Sequence, residues 1–359
     1  PDGFAVERAE NPVKQPDASF LREIDETIKK ESPYIRQSSY RYTVSRRRIL
    51  VVKPGGEVAE DERYYTSFAA QVIAERDGVV QTGSERRCMT LPQELFWNGA
   101  SPLELARTAL RRALLMLEAR PCPAGKMRVL MAGEAGGTIV HEACGHGLEA
   151  DIVEKDYSTY RGKIGEKVAH ETVTMIDGPF TEGLYGDYRF DDEGTPAQRT
   201  VLIENGVLKN YLTDVLSSQL YGLPLTGNGR RESYRCVPVP RMSNTYLLPG
   251  RDDLDTMLAR TERGLFVKKM GGGEVDPTSG DFVFYVSEAY LIEKGKLGAP
   301  VRGAILTGNG PEALRNISAL GNNLVMDPGM CGKSGQSVPV TDGQPSMLIE
   351  GLTVGGSEA

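Results

Sequence analysis

The sequence predicts an α+β fold, a mixed N-terminal domain followed by a larger, mostly antiparallel β domain, and three observations carry that reading. Helix and strand signals alternate over roughly the first 120 residues. Beyond them, turn-bounded apolar runs dominate, with no βαβα series of the kind that builds a doubly wound sheet. Glycine supplies 41 of 359 residues, about 11% against a usual ~7%. Much of it falls in the second half, where turns and close backbone approaches are expected.

Phe20, Leu21, Ile24 and Ile28 recur at helical spacing among charges, and Pro33 ends the pattern. The stretches 40–52 and 63–76 then turn to aromatic and β-branched residues. Asp77-Gly78, ahead of Val79 and Val80, is a hairpin signal, so an antiparallel pair is expected. The clearest helix follows. Ser101 suits its N-cap, Pro102 its first position and Glu104 the return partner of a capping box, with Leu103, Ala106, Leu110, Ala113, Leu114 and Leu117 facing a core. Pro121 and Pro123 close it. The stretch 120–125 is the expected boundary between an N-terminal domain (1–125) and a C-terminal domain (126–359). Residues 127–132 read as a buried strand, and a glycine-rich turn leads into a short helix bearing histidines. Asn205-Gly206 marks a hairpin, and 282–292 is a strong strand run broken at Lys294-Gly295. Leu-Thr-Gly-Asn-Gly occurs at 225–229 and again at 306–310, too short for a repeat architecture but expected to mark two similar turns.

Composition narrows the function. The 49 acidic and 42 basic side chains leave a formal charge of −7, which argues against a nucleic-acid surface. Forty per cent hydrophobic and 25% charged residues are ordinary globular values. No apolar run approaches the ~18 residues of a membrane span, so a soluble chain is expected. Cys88, Cys122, Cys144, Cys236 and Cys331 are odd in number and scattered, with no CxxC pair and no secretory pattern, which points away from disulfides and towards the cytoplasm.

Two of the three histidines lie in His141-Glu142-Ala143-Cys144-Gly145-His146. Neutral imidazole is the commonest zinc ligand, and a glutamate beside the first histidine suits a base acting on metal-activated water. The spacing is unusual. Residues five apart on a regular α-helix are splayed by about 140°, whereas the familiar H-E-x-x-H keeps its histidines on one face. The motif therefore predicts a local helix irregularity, which Gly145 and Gly147 would ease. A catalytic zinc wants a third protein ligand; Cys144, Glu149, Asp151, His170 and Cys331 are the candidates. Cys331 sits in a glycine-bracketed stretch with Lys333 two residues on, a setting expected to be a flexible turn and to favour the thiolate.

Beyond His141-Glu142-x-x-x-His146-Gly147-Leu148-Glu149, further stretches join the pattern in order: Gly194-Thr195-Pro196, the run 226–234, Pro240-Arg241-Met242-x-Asn244-Thr245-Tyr246, the runs 271–276, 278–280 and 287–292, and Cys331-Gly332-Lys333-x-Gly335-Gln336-Ser337-Val338-Pro339-Val340. Together they resemble the TldD/PmbA family of metallopeptidases, and its TldD branch, from about residue 126 nearly to the end. The first 125 residues match more loosely, and sequence preceding Pro1 is expected. The resemblance implies a zinc site with His141 and His146 as ligands, Cys331 as the third and Glu142 as general base. The PmbA branch typically lacks the histidine pair and acts as a non-catalytic partner, so the motif points to a catalytic subunit. Also implied are unfolded, leader or short peptides as substrates, and paired subunits, either a homodimer or a heterodimer with a PmbA-like chain. Asn228, Arg230 and Arg231 could hold a substrate carboxylate or carbonyl from a glycine turn. The run 271–273 could be a hinge or a close approach for substrate backbone, and Arg46-Arg47-Arg48 reads as a solvated or interface face.

Two other readings compete. A peptide-binding partner without turnover would have no need of Glu142. A thiol enzyme built on Cys144 and His146 is disfavoured, because residues two apart on a helix point apart.

Overall fold

The computed structural model describes residues 19–180 and 183–356. The apolar stripe read near the N-terminus becomes the helix Ser19–Glu31, burying Ile24 and Ile28. Three antiparallel strands follow, Ile35–Val52, Val58–Arg76 and Val79–Met89. Asp77 and Gly78 turn the second hairpin with φ of 53° and 80°, the conformation that favours Asp-Gly there. The helix Pro102–Glu118 starts where expected, with the Ser101 hydroxyl accepting from the Glu104 N–H at 3.4 Å. The Glu104 carboxylate goes instead to Arg107 at 2.7 Å, so the expected capping box is half made. Both helices cover one face of the sheet, around Phe68, Val72, Phe96, Ala109 and Leu110. Gly83 lets the second helix close in, since a Cβ there would meet the Ala109 carbonyl oxygen at 2.0 Å.

The remainder is α+β and mostly antiparallel, as expected, with a few parallel pairings. The strands Arg263–Val275, Gly125–Met131, Met347–Gly355, Ile305–Asn309 and Asp281–Glu293 pair in that order, and the last returns to the first, closing a ring. A six-stranded sheet lies alongside, running Val325–Lys333, Gln336–Gln344, Asn244–Leu247, Met175–Asp177, Thr200–Glu204 and Val207–Leu208. The motif segment lies among both, inside a core that includes Val129, Val140, Leu148, Met242, Phe284, Leu306 and Val340. No helix among the described residues is long and apolar enough to cross a membrane.

Two details differ from expectation. Cys331 is not in a flexible turn. It lies within the strand Val325–Lys333, and only Ser334 and Gly335, at φ 54° and 70°, make the turn. The two Leu-Thr-Gly-Asn-Gly segments also part company. The first runs into the strand pair of Gly229–Arg230 with Val239–Pro240, while the second ends a strand and starts the helix Gly310–Arg315 with Asn309 as its N-cap. A pentapeptide is shorter than the contacts that decide its conformation.

Candidate metal centre

The helix irregularity implied by the five-residue spacing is present and has a name. Residues His141–Gly145 form a π-helical turn between the α-turn Thr138–Val140 and the 3₁₀ turn His146–Leu148. A π turn closes i→i+5 rather than i→i+4, so residues five apart stack. The imidazoles of His141 and His146 accordingly meet edge to face, centroids 4.9 Å apart. Gly145 permits this packing, because a Cβ there would lie 2.0 Å from the Met242 sulfur.

The strand Val325–Lys333 brings Cys331 against the pair. Its sulfur lies 3.5 Å from His146 Nε2, and ligand atoms of His141, His146 and Cys331 all fall within 4.8 Å of one another. Among the described residues this is the one group of three or more His, Cys, Asp or Glu side chains so assembled. All three are buried. Glu142 is partly exposed, with a carboxylate oxygen 3.9 Å from His146 Nε2.

Each imidazole is held from behind. His141 Nδ1 meets Asp342 Oδ1 at 2.7 Å, and His146 Nδ1 meets Glu149 Oε2 at 2.9 Å. Carboxylates on Nδ1 fix the rings and leave each Nε2 available as a ligand atom. Glu149 is completely buried and is met by the Lys333 ammonium at 3.0 Å; Lys333 also reaches Asp151 at 2.6 Å and the Pro240 carbonyl at 2.8 Å. The buried Arg241 guanidinium donates to the Cys331 carbonyl oxygen at 2.6 Å, fixing the strand where the sulfur enters. Lys333 thus serves Glu149 and Asp151; the thiolate that the setting was expected to favour is held by the two imidazoles and not by the lysine.

Without metal the site is a charge-separated cluster. Burial would push the Cys331 thiol up, but the charges and hydrogen bonds of His141 and His146 outweigh it and bring it down to about 4. Burial disfavours imidazolium too, yet Glu149 and Cys331 raise His146 to about 10, and Asp342 and Cys331 hold His141 well above its ordinary value. Burial opposes the Glu149 charge, and Lys333 and His146 overcome it, holding that carboxyl near about 2. Glu142 moves the other way: burial lifts it against the pull of both imidazoles. Two imidazole nitrogens and a sulfur that readily ionises, converging with carboxylates behind them and one side left to Glu142, fit a zinc ion with an open position.

The other candidate ligands go elsewhere. Cys144 is buried in the apolar core, its thiol pushed up by burial to about 12. Glu149 and Asp151 hold Lys333, and the exposed side of His170 pairs Nδ1 with Thr172 at 3.0 Å. Asn228 and Arg230 are buried as scaffold. Asn228 donates to Asp177 at 2.7 Å and to the Arg241 carbonyl at 3.0 Å, while Arg230 donates to the Met242 and Pro339 carbonyls, so these groups are committed within the fold and not to substrate. Arg231 follows them, its backbone N–H on Asp192 at 2.8 Å. Arg46 and Arg48 pair with Glu62 and Glu60, and Arg47 donates to the Glu232 carbonyl. Sequence reasoning missed Asp342 and Arg241 as supports. Asp342 lies 201 residues from its histidine, a separation no local pattern bridges.

Comparison with known proteins identifies the family. Residues 124–356 match the model of the PmbA/TldA metallopeptidase C-terminal domain, and 8–117 that of the central domain of the same family. A metalloprotease TldD homolog of Haemophilus influenzae is 39% identical, the match covering 98% of this chain and 74% of that protein. A zinc metalloprotease TldD homolog of Saccharolobus solfataricus is 33% identical over 68% of this chain and 55% of its own length. The crystal structure of TldE from Thermococcus kodakarensis, 18% identical, superposes with a TM-score of 0.75 over 99% of this chain and 79% of that one, a likeness of fold.

Proposed function

The chain belongs to the PmbA/TldD family of metallopeptidases, and from that premise we propose a zinc-dependent peptidase in which His141, His146 and Cys331 hold the metal and Glu142 is the general base. The observation that carries this is the convergence of the three ligand atoms within 4.8 Å, beside a partly exposed Glu142. Zinc bound by such a set supplies Lewis acidity, acidifying water and polarising a peptide carbonyl. The chain's residues do the rest. Glu142, lifted by burial towards the working range of a base, takes a proton from water and is placed to return it to the leaving amine. Asp342 and Glu149 keep the rings oriented, and Arg241 keeps the cysteine strand in place.

Unfolded, leader or short peptides are the proposed substrates, with a related subunit as partner, either a second copy or a PmbA-like chain, and the cytoplasm as compartment. The proposed domain division at 125/126 rests on the proline-rich stretch 120–125; the apolar clusters divide slightly earlier, one drawn from residues 24–117 and another from 122–354. A non-catalytic partner would need neither Glu142 nor an open coordination side.

The test is metal content per chain in reducing buffer, with peptide hydrolysis measured beside it. About one zinc in the parent and a large loss in Cys331→Ala support the ligand set. Unchanged zinc in that variant transfers the third role elsewhere, and no zinc in the parent after reconstitution overturns the reading.

A further inference from the structure

A feature that the metal centre leaves unexplained is a cavity of about 450 Å³ between the three-stranded sheet and the ring of strands. Its first wall is the sheet face turned away from the helices, where Ser39, Gln71 and Ser84 lie in one cross-strand row and Arg41, Ala69 and Arg86 in the next. The opposite wall is Lys269–Gly272 of the strand Arg263–Val275, with Thr138 and Asp327. That strand is irregular here, its register shifting at Lys269, Met270 and Gly272, and Gly272 sits at φ +125°. Small side chains and glycine on both walls leave room for an extended backbone.

The lining is unbalanced in charge, on a chain that is acidic overall. Arg41, Arg86 and Lys269 face two carboxylates, and one of these, Glu85, turns to Arg112 at 3.4 Å. Asp327 is therefore shared, at 3.1 Å from Arg86 and 2.7 Å from Lys269. Arg41 is exposed and has no hydrogen-bond or ion-pair partner among the described residues. An exposed Arg86 and a half-buried Lys269 with one shared counter-charge, beside a free guanidinium, make a site for a further carboxylate.

The cavity is also tied to the metal centre. Asp327 is the cross-strand partner of Asp342, which holds His141. It precedes Cys331 by four residues on one strand, about 13 Å at 3.3 Å per residue. Thr138 precedes His141 by one helical turn, about 5 Å of rise.

We propose that this cavity is a substrate subsite for a carboxylate, either an acidic side chain or the chain terminus of the peptide, recognised by Arg41 with Arg86 and Lys269 about two to four residues from the scissile bond. The proposal rests on the peptidase reading above and names its substrate class. Extended peptide advances about 3.3 Å per residue, which sets that distance.

The experiment uses zinc-loaded protein and a set of ten-residue peptides in which one Glu is moved along a neutral sequence. Each has a Gln counterpart, and each is made as free acid and as C-terminal amide. Binding of the same peptides to metal-free protein is measured by calorimetry. One register of Glu, or the free acid, is expected to raise kcat/KM and tighten binding about tenfold, the scale of a hydrogen bond to a charged group. Arg41→Gln, which removes an exposed side chain, is expected to bring that ratio towards one. A Glu effect that survives amidation assigns the site to a side chain; an acid-over-amide effect alone assigns it to the terminus. Equal handling of all peptides by the parent, or an unchanged ratio in Arg41→Gln, overturns the subsite while leaving the peptidase reading intact. Absence of hydrolysis for every peptide counts against the peptidase reading, and the binding arm still decides the subsite.

Discussion

Lys333→Met tests whether the support behind His146 behaves as its geometry implies. The substitution removes an ammonium 3.0 Å from Glu149, whose side chain is completely buried. Two unit charges at that distance attract by about 5 kcal/mol at an effective dielectric of about 20. Desolvation consumes part of this, and the displacement of the Glu149 carboxyl from 4.5 to about 2, to which Lys333 contributes most and His146 and Arg241 add, corresponds to a net of about 3 kcal/mol. The sign follows from the direction of the shift. A depressed carboxyl contributes its stability above the unfolded value of 4.5 and loses it as pH falls through the folded value. In the variant, Glu149 keeps the burial and loses its main counter-charge, so its folded value rises above 4.5 and it takes up a proton on acidification. Metal-free Lys333→Met should therefore be less stable than the parent by about 3 kcal/mol near pH 8, with the gap narrowing towards pH 5. Chelator competition should show zinc held about 10–100-fold more weakly, the usual cost of losing support behind a histidine ligand. Urea unfolding at several pH values reads the first effect. A deficit independent of pH, or an undiminished zinc affinity, would refute the chain of influence from Lys333 through Glu149 to His146.

Other expectations follow from the same cluster. Glu142→Gln should retain zinc and lose about 10²–10⁴-fold in kcat; full activity in a continuous peptide assay would remove Glu142 from the chemistry. Metal uptake at pH 7 should displace protons from the two imidazoles and essentially none from Cys331, whose thiol already lies near about 4. Calorimetry in buffers of differing ionisation enthalpy should then count about two protons, with affinity rising as pH rises; a third proton would place the thiol value wrongly. Gly137→Ala should weaken zinc binding and cost about 1–3 kcal/mol, since its Cβ would press within 2.6 Å of Asp342 and Gly343. An unaltered zinc affinity in that variant would mean the aspartate does not govern His141.

The sequence was most legible where contacts are short-range. The cap at Ser101, the Asp77-Gly78 and Asn205-Gly206 turns and the stripe around Ile24 and Ile28 are decided within a few residues of themselves. The hexapeptide likewise announced its own distortion, because two ligands five apart cannot share a regular helix. Cys331 needed more, since 185 residues separate it from His146, and only the family resemblance singled it out among the candidates. Asn228 and Arg230 show the opposite failure. Polar residues around a glycine turn look like a binding loop in sequence, and the fold buries both as internal braces for backbone carbonyls. Burial of an arginine is a property of its neighbours in space, which composition does not reveal.

The π turn carries a lesson for recognising sites of this kind elsewhere. A search for paired ligands that admits only α-helical periodicity passes over His141 and His146, although their rings touch. One residue added to a four-residue interval does not scatter the ligands; it widens the coil by one peptide unit and returns the second ligand to the first. The signature is the longer interval together with a residue just before the second ligand that tolerates no side chain, as Gly145 tolerates none beneath Met242. Read this way, an interval of five between ligands becomes a statement about local backbone pitch, and chains set aside for having the wrong count become candidates for the same chemistry.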